Sequence, residues 1–286
     1  MGALAIYIIS IMAILPFTVL YAVSDWLLYP LVRYVMRYRR SVVEKNLMLA
    51  FPEKDNRERM KIEQLFYHHL CDVFVESVKL CHMSEKELKQ RFLWENYDEV
   101  MSSATNERRM TLCYFAHYAN WEWAMGMFMP KGTTTLIIYQ KLHNPVFDKW
   151  ICNNRSRFGA IPIEMSSVSE TLRVYNTLRE KCIVLAIADQ LPKEQYVRHF
   201  YKFMGIKTKV LTGTESMIRK YNMNVFYCSV KRKERGYYVC KAERLDFPNQ
   251  CKNDAWPYTE AFFERLQQQI GESPELWLWS HDRWRR

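Results

Sequence analysis

Residues 111–129 read TLCYFAHYANWEWAMGMFM, and the order of apolar and polar residues in this stretch decides the fold of the chain. Six residues without charge, rich in strand-forming types, lead into His117, and a second apolar run begins near Glu122. This pattern predicts a buried strand, a turn and a helix. Asn120 suits the N-cap of that helix, and Glu122 falls in its first turn, where a negative charge is favoured.

His117 and Glu122 are the first candidate catalytic residues. Five positions correspond to roughly 500° on an ideal helix, so the two side chains cannot share one helical face. We therefore predict that His117 lies on the turn and that Glu122 reaches back to one nitrogen of its ring, which leaves the other nitrogen as a proton acceptor. No serine, cysteine or threonine near His117 and Glu122 belongs to a recognisable nucleophile motif. The pattern thus favours group transfer onto a substrate hydroxyl, with His117 as general base. The alternative is a buried histidine satisfied by a nearby acid, because short motifs also match by chance.

Two further apolar runs resemble the strand before His117. TTTLIIYQ covers residues 133–140 and CIVLAIAD covers residues 182–189, and helical patterns over residues 145–158 and 168–180 separate them. Short unbroken apolar strands alternating with helices predict an α/β fold with a mixed, mostly buried central sheet and helices on both faces. His117, Lys141 and Asp189 follow strand ends, where α/β sheets usually build their sites.

The remainder of the chain continues this pattern. Residues 41–110 show helical spacing, and Ser84 with Glu87 resembles a capping box. His68 and His69 are adjacent, so they project in different directions and are expected on a helix surface rather than at a metal. Residues 225–245 predict a hairpin around a charged, solvated turn. The tryptophan-rich segment at residues 274–284 is expected to dock on the body of the protein.

Composition limits the possible partners. The chain has 286 residues, a net charge of +10, and 49% hydrophobic and 15% aromatic residues. A chain of this length and composition folds around a core, and its basic balance favours nucleic acid, acidic lipid headgroups or an acidic carrier protein. The eight cysteines contain no CxxC pair, which indicates small buried thiols in a reducing compartment rather than a zinc or redox motif.

The first 24 residues carry no side-chain charge, and the apolar run is long enough to cross a bilayer. Its uncharged start and its length favour a retained anchor over a cleaved signal peptide. Arg33, Arg37, Arg39 and Arg40 follow among aromatic residues, as expected on the cytoplasmic side of a membrane interface. We therefore predict an N-terminal membrane-anchor helix with a basic flank over residues 1–40 and a catalytic domain over residues 41–286. Deep monotopic insertion and a buried hairpin that never spans are the alternatives.

Five segments in matching order resemble the late acyltransferases of lipid A biosynthesis, within the wider lysophospholipid acyltransferase superfamily. The chain differs from the pattern of that family at Gln140, Met204 and Leu276, where the family has Arg, Phe and Gln. The segments are HYANWEW (117–123, the H-x4-D/E block), NP with NRSRFG (144–145 and 154–159), ADQ (188–190), FMGIKTKVLTGT (203–214) and PELWLWSHDRW (274–284).

The resemblance implies transfer of a fatty acyl chain from an acyl carrier protein thioester to a lipid A precursor, onto a hydroxyl of an acyl chain already attached. His117 would be the general base and Glu122 would orient it, without metal or organic cofactor. Arg155 or Arg157 would bind an acceptor phosphate. The remaining predicted substrate-binding residues are Asp189, Lys141 and Asn120. Trp121, Trp123, Met125 and Phe128 are candidates for an acyl channel, or equally for a packed helix face.

The implied partners are acyl carrier protein, the lipid A precursor and the membrane, with no nucleic acid, and the implied location is the cytoplasmic side of a bacterial inner membrane. Three alternatives remain open. The first is an acyltransferase for a lysophospholipid, aminolipid or glycolipid, and the second is a non-catalytic membrane-anchored lipid-binding scaffold. The third is a serine or cysteine hydrolase, which the absence of a G-x-S-x-G motif disfavours.

Overall fold

A computed structural model of the chain describes residues 2–106, 109–127, 132–178, 180–247 and 255–285. The α-helices in this part of the chain are α1 Gly2–Ile14, α2 Phe17–Val23, α3 Arg40–Ala50, α4 Asn56–Lys79, α5 Glu85–Arg91, α6 Tyr97–Asn106, α7 Trp121–Met127, α8 Pro145–Ser156, α9 Val168–Leu178, α10 Gly213–Tyr221 and α11 Pro257–Glu272. The strands are β1 Phe92–Trp94, β2 Thr111–Phe115, β3 Thr134–Tyr139, β4 Ile161–Glu164, β5 Cys182–Ile187, β6 His199–Phe203, β7 Ile206–Val210, β8 Asn224–Glu234 and β9 Tyr237–Arg244.

Seven strands form one mixed sheet in the order β1-β9-β8-β2-β5-β3-β4, and β6 with β7 forms a separate antiparallel hairpin. All neighbours in the large sheet run parallel except β8 and β9. The predicted α/β class with a mixed central sheet is confirmed. The predicted hairpin is β8–β9, whereas β1, β4 and the β6–β7 hairpin were not recognised from the sequence.

The centre of the sheet is covered on both sides. Every residue of β2 is buried, as are the first five of β5. Because successive side chains of a strand point to opposite faces, unbroken burial means that both faces are packed. The apolar runs without alternation were therefore correctly interpreted as buried strands. They position the turn after β2 against the rigid middle of the molecule.

The N-terminal region differs from the prediction. Helix α1 ends at Ile14, and Pro16 takes an extended conformation before α2 begins. Proline lacks the N–H that a continuing helix would need, and it disfavours helical geometry in the residue before it. After α2 the chain continues in π-helical turns over Ser24–Leu28 and Leu31–Val35. The single continuous helix predicted for this region is therefore interrupted, and among the described residues no helix combines the length and apolar character needed to cross a bilayer.

Helix α4 is the longest helix of the described chain and carries side chains toward the turn after β2. A capping box formed by Asp55 and Glu58 starts it. Its residue His69 is only 2% exposed and bonds the carbonyl of Ala119 through Nε2 at 3.2 Å, so the expected surface position of His69 is wrong. Burial lowers the pKa of His69 to about 3, which keeps its ring neutral and able to donate this bond. At Ser84, where a capping box with Glu87 was predicted, the N-cap half is confirmed because the Ser84 side chain accepts from the backbone N–H of Glu87. The Glu87 carboxylate bonds Arg91.

The C-terminal segment docks on the body, as predicted. Its tryptophans Trp277, Trp279 and Trp284 are all buried. Asn46 of α3 donates to the carbonyls of Trp279 and His281 at 2.9 and 2.8 Å. The segment also reaches the turn that follows β2, where the N–H of Leu278 donates to the carbonyl of His117 at 3.0 Å.

The charged tip of the β8–β9 hairpin is not simply solvated. Arg235 bonds Asp25 through two nitrogens at 2.7 and 2.8 Å, and it also bonds Asp72 of α4. A planar guanidinium suits such paired carboxylate contacts. The hairpin tip therefore fastens the N-terminal region to α4.

Candidate active site

Two parallel strands bring the candidate base and an acid together. In the register of β2 and β5, Phe115 lies opposite Ile187. His117 and Asp189 each follow these residues by two positions, so their side chains emerge side by side at the carboxyl edge of the sheet. The sequence placed both residues at strand ends, and the adjacency of the two strands makes them neighbours.

Asp189 holds the ring of His117. Its Oδ1 lies 2.7 Å from Nδ1 of His117, while Oδ2 accepts from the His117 backbone N–H at 3.1 Å and from the indole N–H of Trp277 at 2.9 Å. Burial raises the pKa of Asp189, but the charge and hydrogen bond of His117 outweigh burial and bring this pKa down to about 2. An ionised carboxylate can only accept, so Nδ1 carries the proton and Nε2 presents a lone pair.

Glu122 has a different partner from the one predicted. Its carboxylate binds Arg155 of α8 through two parallel hydrogen bonds, at 3.1 Å from Nε and 2.7 Å from Nη2. The contact predicted for Glu122 with the His117 ring is made by Asp189 instead, and the role of Glu122 stays a prediction. Burial raises the pKa of Glu122, but Arg155 outweighs burial, so this pKa lies below its usual range. The pair is ionised and side by side with His117 in one cleft.

A cleft of about 280 Å³ is lined by both apolar and polar residues, and the polar ones include His117, Glu122, Arg155 and Gln190. The amide nitrogen of Gln190 lies 3.4 Å from Nε2 of His117, so the proton-accepting nitrogen faces this cleft. Gln190 was noticed in the sequence only as part of the ADQ segment. Among the substrate-binding residues predicted from the sequence, Arg155 is the one that lines the cleft.

Two largely apolar cavities share walls with the cleft. One, of about 340 Å³, shares Ile138, Met165 and Ile187 with the cleft and reaches Met217 of α10. The other, of about 350 Å³, shares Glu122, Leu142 and Ile151 with the cleft and reaches Ile9 of α1. The cleft thus shares walls with two spaces that are lined mainly by apolar residues.

The other predicted substrate-binding residues lie elsewhere. Arg157 donates to the carbonyls of Leu80 and Met83, the latter at 2.9 Å, and so closes the end of α4. Lys141 has a largely exposed side chain 3.9 Å from Glu164. Arg157 does not line the cleft, and its predicted role at the substrate stays a prediction. Lys141 lies next to the cleft, between two residues that line it.

Asn120 is completely buried, and both ends of its amide are engaged. Its Oδ1 accepts from the backbone N–H of Trp123 at 2.8 Å, which confirms the predicted N-cap of α7. Its Nδ2 donates to Glu76 of α4 at 2.6 Å. Asn120 therefore supports the turn and does not line the cleft, and its predicted substrate contact stays a prediction.

Glu76 was missed by the sequence reasoning. The available signal was its position on α4, three residues after Val73 and four before Leu80, on the apolar stripe of the helix. A carboxylate on such a stripe must have partners, because an unpaired buried charge is costly. Trp277 was likewise seen only as part of a docking segment, not as a donor to Asp189.

Of the candidate acyl-channel residues, one lines a cavity and two are packed in the core. Trp121 lines the second apolar cavity, whereas Trp123 and Met125 belong to the core. Phe128 lies outside the described residues. In the part of the chain that the structure describes, no group of three or more His, Cys, Asp or Glu side chains could hold a metal ion.

Comparison with known proteins identifies the family of the chain. No curated protein matches the chain. The family model described as bacterial lipid A biosynthesis acyltransferase matches residues 2–286. That match spans the whole chain, so the protein belongs to the bacterial lipid A biosynthesis acyltransferase family.

Proposed function

We propose that this protein moves a fatty acyl chain from the thioester of acyl carrier protein to a hydroxyl on an acyl chain of a lipid A precursor. Membership of the family supports acyl transfer in lipid A biosynthesis. The observation that carries the finer proposal is the His117 ring, with Nδ1 bonded to Asp189 and Nε2 facing a cleft that shares walls with two largely apolar cavities.

His117 is the general base in this proposal. Nε2 takes the proton of the acceptor hydroxyl while the alkoxide oxygen bonds to the thioester carbon. The tetrahedral intermediate collapses with cleavage of the carbon–sulfur bond, and the proton on Nε2 passes to the departing sulfur. Asp189 accepts from Nδ1–H throughout and stabilises the imidazolium that forms between the two transfers.

Arg155 and Gln190 supply positive charge and a hydrogen-bond donor to the cleft. In the described structure, Glu122 uses Nε and Nη2 of Arg155, which leaves Nη1 for the oxyanion or for a substrate oxygen. Glu122 holds this guanidinium in place through the two hydrogen bonds. Donors fixed before the reaction cost no reorganisation when charge develops on the carbonyl oxygen.

The two apolar cavities suit the two hydrocarbon chains of this reaction. One chain is the acyl group of the donor, and the other carries the acceptor hydroxyl. The cavity that reaches α1 lies beside exposed apolar residues of that helix, which suits a lipid acceptor. The cavity that reaches α10 then receives the donor chain.

We also propose that the protein acts at the cytoplasmic face of the bacterial inner membrane, with the N-terminal region in contact with lipid. On α1, Tyr7, Ile8, Ile11 and Ile14 are exposed while Ile9 and Ala13 pack against α4. The exposed large hydrophobic residues of the region that follows are Val19, Trp26, Leu27, Leu31, Tyr34, Val35, Met36 and Tyr38. An apolar surface of this kind, next to several arginines, suits the interface of an anionic membrane.

The test uses membranes that contain wild-type protein, His117→Ala or His199→Ala. They are incubated with acyl carrier protein thioester and a phosphorylated lipid A precursor and analysed by lipid mass spectrometry. His199 is the matched control, because it also bonds a carboxylate, that of Glu260 at 2.8 Å, but belongs to the separate β6–β7 hairpin. We expect wild type and His199→Ala to add the mass of one acyl chain and His117→Ala to add none.

Other outcomes identify other functions. Acylation of a different lipid by wild type alone would keep the reaction and replace the acceptor. Equal results for wild type and His117→Ala with every acceptor offered would contradict the catalytic role of His117 and support a lipid-binding scaffold.

A further inference from the structure

The turn between β2 and α7 carries His117 and leads into Glu122 in the first turn of α7, and its backbone is held in an unusual conformation. Ala119 has a φ of +51°, which non-glycine residues rarely adopt and which surrounding contacts must stabilise. Its N–H donates to the carbonyl of Leu276 at 2.9 Å, and its carbonyl accepts from His69 at 3.2 Å. The geometry of the candidate active site thus depends on groups outside it.

Asn120 is the next residue, and it connects the turn to α4. Because its Oδ1 accepts from the Trp123 N–H, its Nδ2 must be the end that faces Glu76. The orientation of the amide is therefore determined by hydrogen bonds. A donor at 2.6 Å from a buried carboxylate oxygen is a short, charge-assisted contact.

Glu76 lies at a junction of four elements. Its Oε2 accepts from Asn120 and from Tyr238 of β9 at 2.8 Å, and its Oε1 accepts from Tyr21 of α2 at 2.8 Å. Its backbone carbonyl also accepts from the indole N–H of Trp123 at 3.0 Å. The side chain is completely buried, so these donors replace its hydration.

We propose that Glu76 is a positioning residue for the acyl transfer: through Asn120 it sets the position of the turn that carries His117 and of the start of α7, which carries Glu122. The inference rests on the proposed function for its kinetic consequences. Glu76 does not line the cleft, so it acts through the turn and not on the substrate. Tyr21 extends the same connection to the N-terminal region.

The hydrogen-bond directions allow a reciprocal test. Asn120→Asp keeps the N-cap of α7 but turns its other end into an acceptor that faces the carboxylate of Glu76, so the two groups repel. In the double variant Glu76→Gln/Asn120→Asp, the new amide donates to the new carboxylate, and the contact is restored with its direction reversed. The tyrosine hydroxyls can rotate to donate or accept in either case.

We expect Asn120→Asp to lower kcat about 100-fold, because a displacement of about 1 Å in catalytic groups has an effect of this size. KM should stay within about threefold, since no substrate contact is removed. The double variant should recover about tenfold or more of the lost kcat, as expected for directly coupled residues. Asp72→Asn removes a buried carboxylate one turn earlier on α4 and should leave kcat unchanged, because Asp72 contacts Ser24 and Arg235 rather than the turn.

A second variant covers the case in which Asn120→Asp does not fold. Asn120→Ser retains an N-cap residue but is too short to reach Glu76. The double variant Glu76→Gln/Asn120→Asp should then have a higher kcat than the double variant Glu76→Gln/Asn120→Ser. Two results would overturn the proposal: a double variant no better than the worse single variant, or an Asn120→Ser protein with wild-type kcat.

A readout that does not need turnover separates this inference from the proposed function. Diethyl pyrocarbonate modifies unprotonated imidazole nitrogen, and peptide mass spectrometry gives the rate at His117. If wild type transfers no acyl chain, the proposed function fails. The positioning role of Glu76 still predicts that Asn120→Asp changes the modification rate of His117 and that the double variant restores it. Identical rates in all three proteins would refute the positioning role by itself.

Discussion

Replacing Asp189 with asparagine is expected to reverse the tautomer of His117 without changing the volume of the side chain. Oδ2 of Asp189 accepts from two donors that cannot change, the His117 backbone N–H and the Trp277 indole. Oδ1 faces Nδ1 of His117, which either donates or accepts depending on the tautomer. The single amide oxygen of asparagine will therefore take the Oδ2 position, and its NH₂ group will face Nδ1.

An NH₂ group in that position forces Nδ1 to accept, so the proton moves to Nε2. With Nε2 protonated, His117 cannot take the proton of the acceptor hydroxyl. The corresponding change in a serine-protease triad lowers kcat by about 10⁴-fold, and the same physical situation predicts a loss of that order here. At about 1.4 kcal/mol for each factor of ten, this amounts to roughly 5.5 kcal/mol of transition-state stabilisation.

The assay is the initial rate of acyl transfer by purified protein, with kcat and KM measured separately. Asp246→Asn is the control, because Asp246 is an exposed carboxylate bonded to Arg244 and its loss should not alter the rate. Thermal unfolding of both variants shows whether the fold is retained. Nitrogen-15 chemical shifts of the His117 ring report the tautomer directly.

The reasoning is refuted if Asp189→Asn folds normally and keeps kcat within about tenfold of wild type, because the loss of the correct tautomer costs far more. It is refuted equally if the ring shifts show the proton on Nδ1 in the variant. A large loss of rate with the tautomer unchanged would assign Asp189 a different role.

Three further predictions address the cleft, its cavity and the support below it. Arg155→Lys breaks the paired contact with Glu122 and should lower kcat roughly 100-fold with intact folding, as the loss of one oxyanion donor does; unchanged initial rates would contradict this role. Met217→Trp fills the cavity near α10 and should lower the kcat/KM ratio of long to short acyl donors about tenfold or more, measured in competition assays; an unchanged ratio would place the donor chain elsewhere. Burial, as the largest cause, raises the pKa of Glu76 from 4.5 to about 7. The stability linked to this raised pKa is therefore fully present below pH 4.5 and is lost as the pH rises through 7. The loss is on the order of 3 kcal/mol, and Glu76→Gln should remove it; parallel pH profiles of the two proteins in urea unfolding would contradict the assignment.

Local sequence was sufficient for the elements around the site. The uncharged runs before His117 and Asp189 are buried strands, and Asn120 caps the helix after the turn. These features depend on neighbouring residues, since strand burial, turn formation and capping are properties of a few consecutive positions. The apolar length of residues 1–24 was misleading because Pro16 interrupts the helix.

The local sequence pattern did not predict the partners of the charged side chains. Glu122 is five positions from His117 but binds Arg155, whereas Asp189, which is 72 positions away, holds the ring. Glu76 supports the turn from 44 positions away. A carboxylate pairs with the nearest donor in space, and helical or strand spacing cannot show which donor that is.

The amino-acid sequence by itself determined that polar residues follow buried strands and that a histidine lies on a turn before a helix. The tertiary structure alone decided that β2 lies beside β5 in parallel register, and hence that His117 meets Asp189. The physical reason is that apolar runs specify burial but not which strand is the neighbour, since any two such strands offer the same backbone hydrogen bonds. Strand order results from packing of the whole chain, and in this protein it selects the carboxylate that orients the histidine.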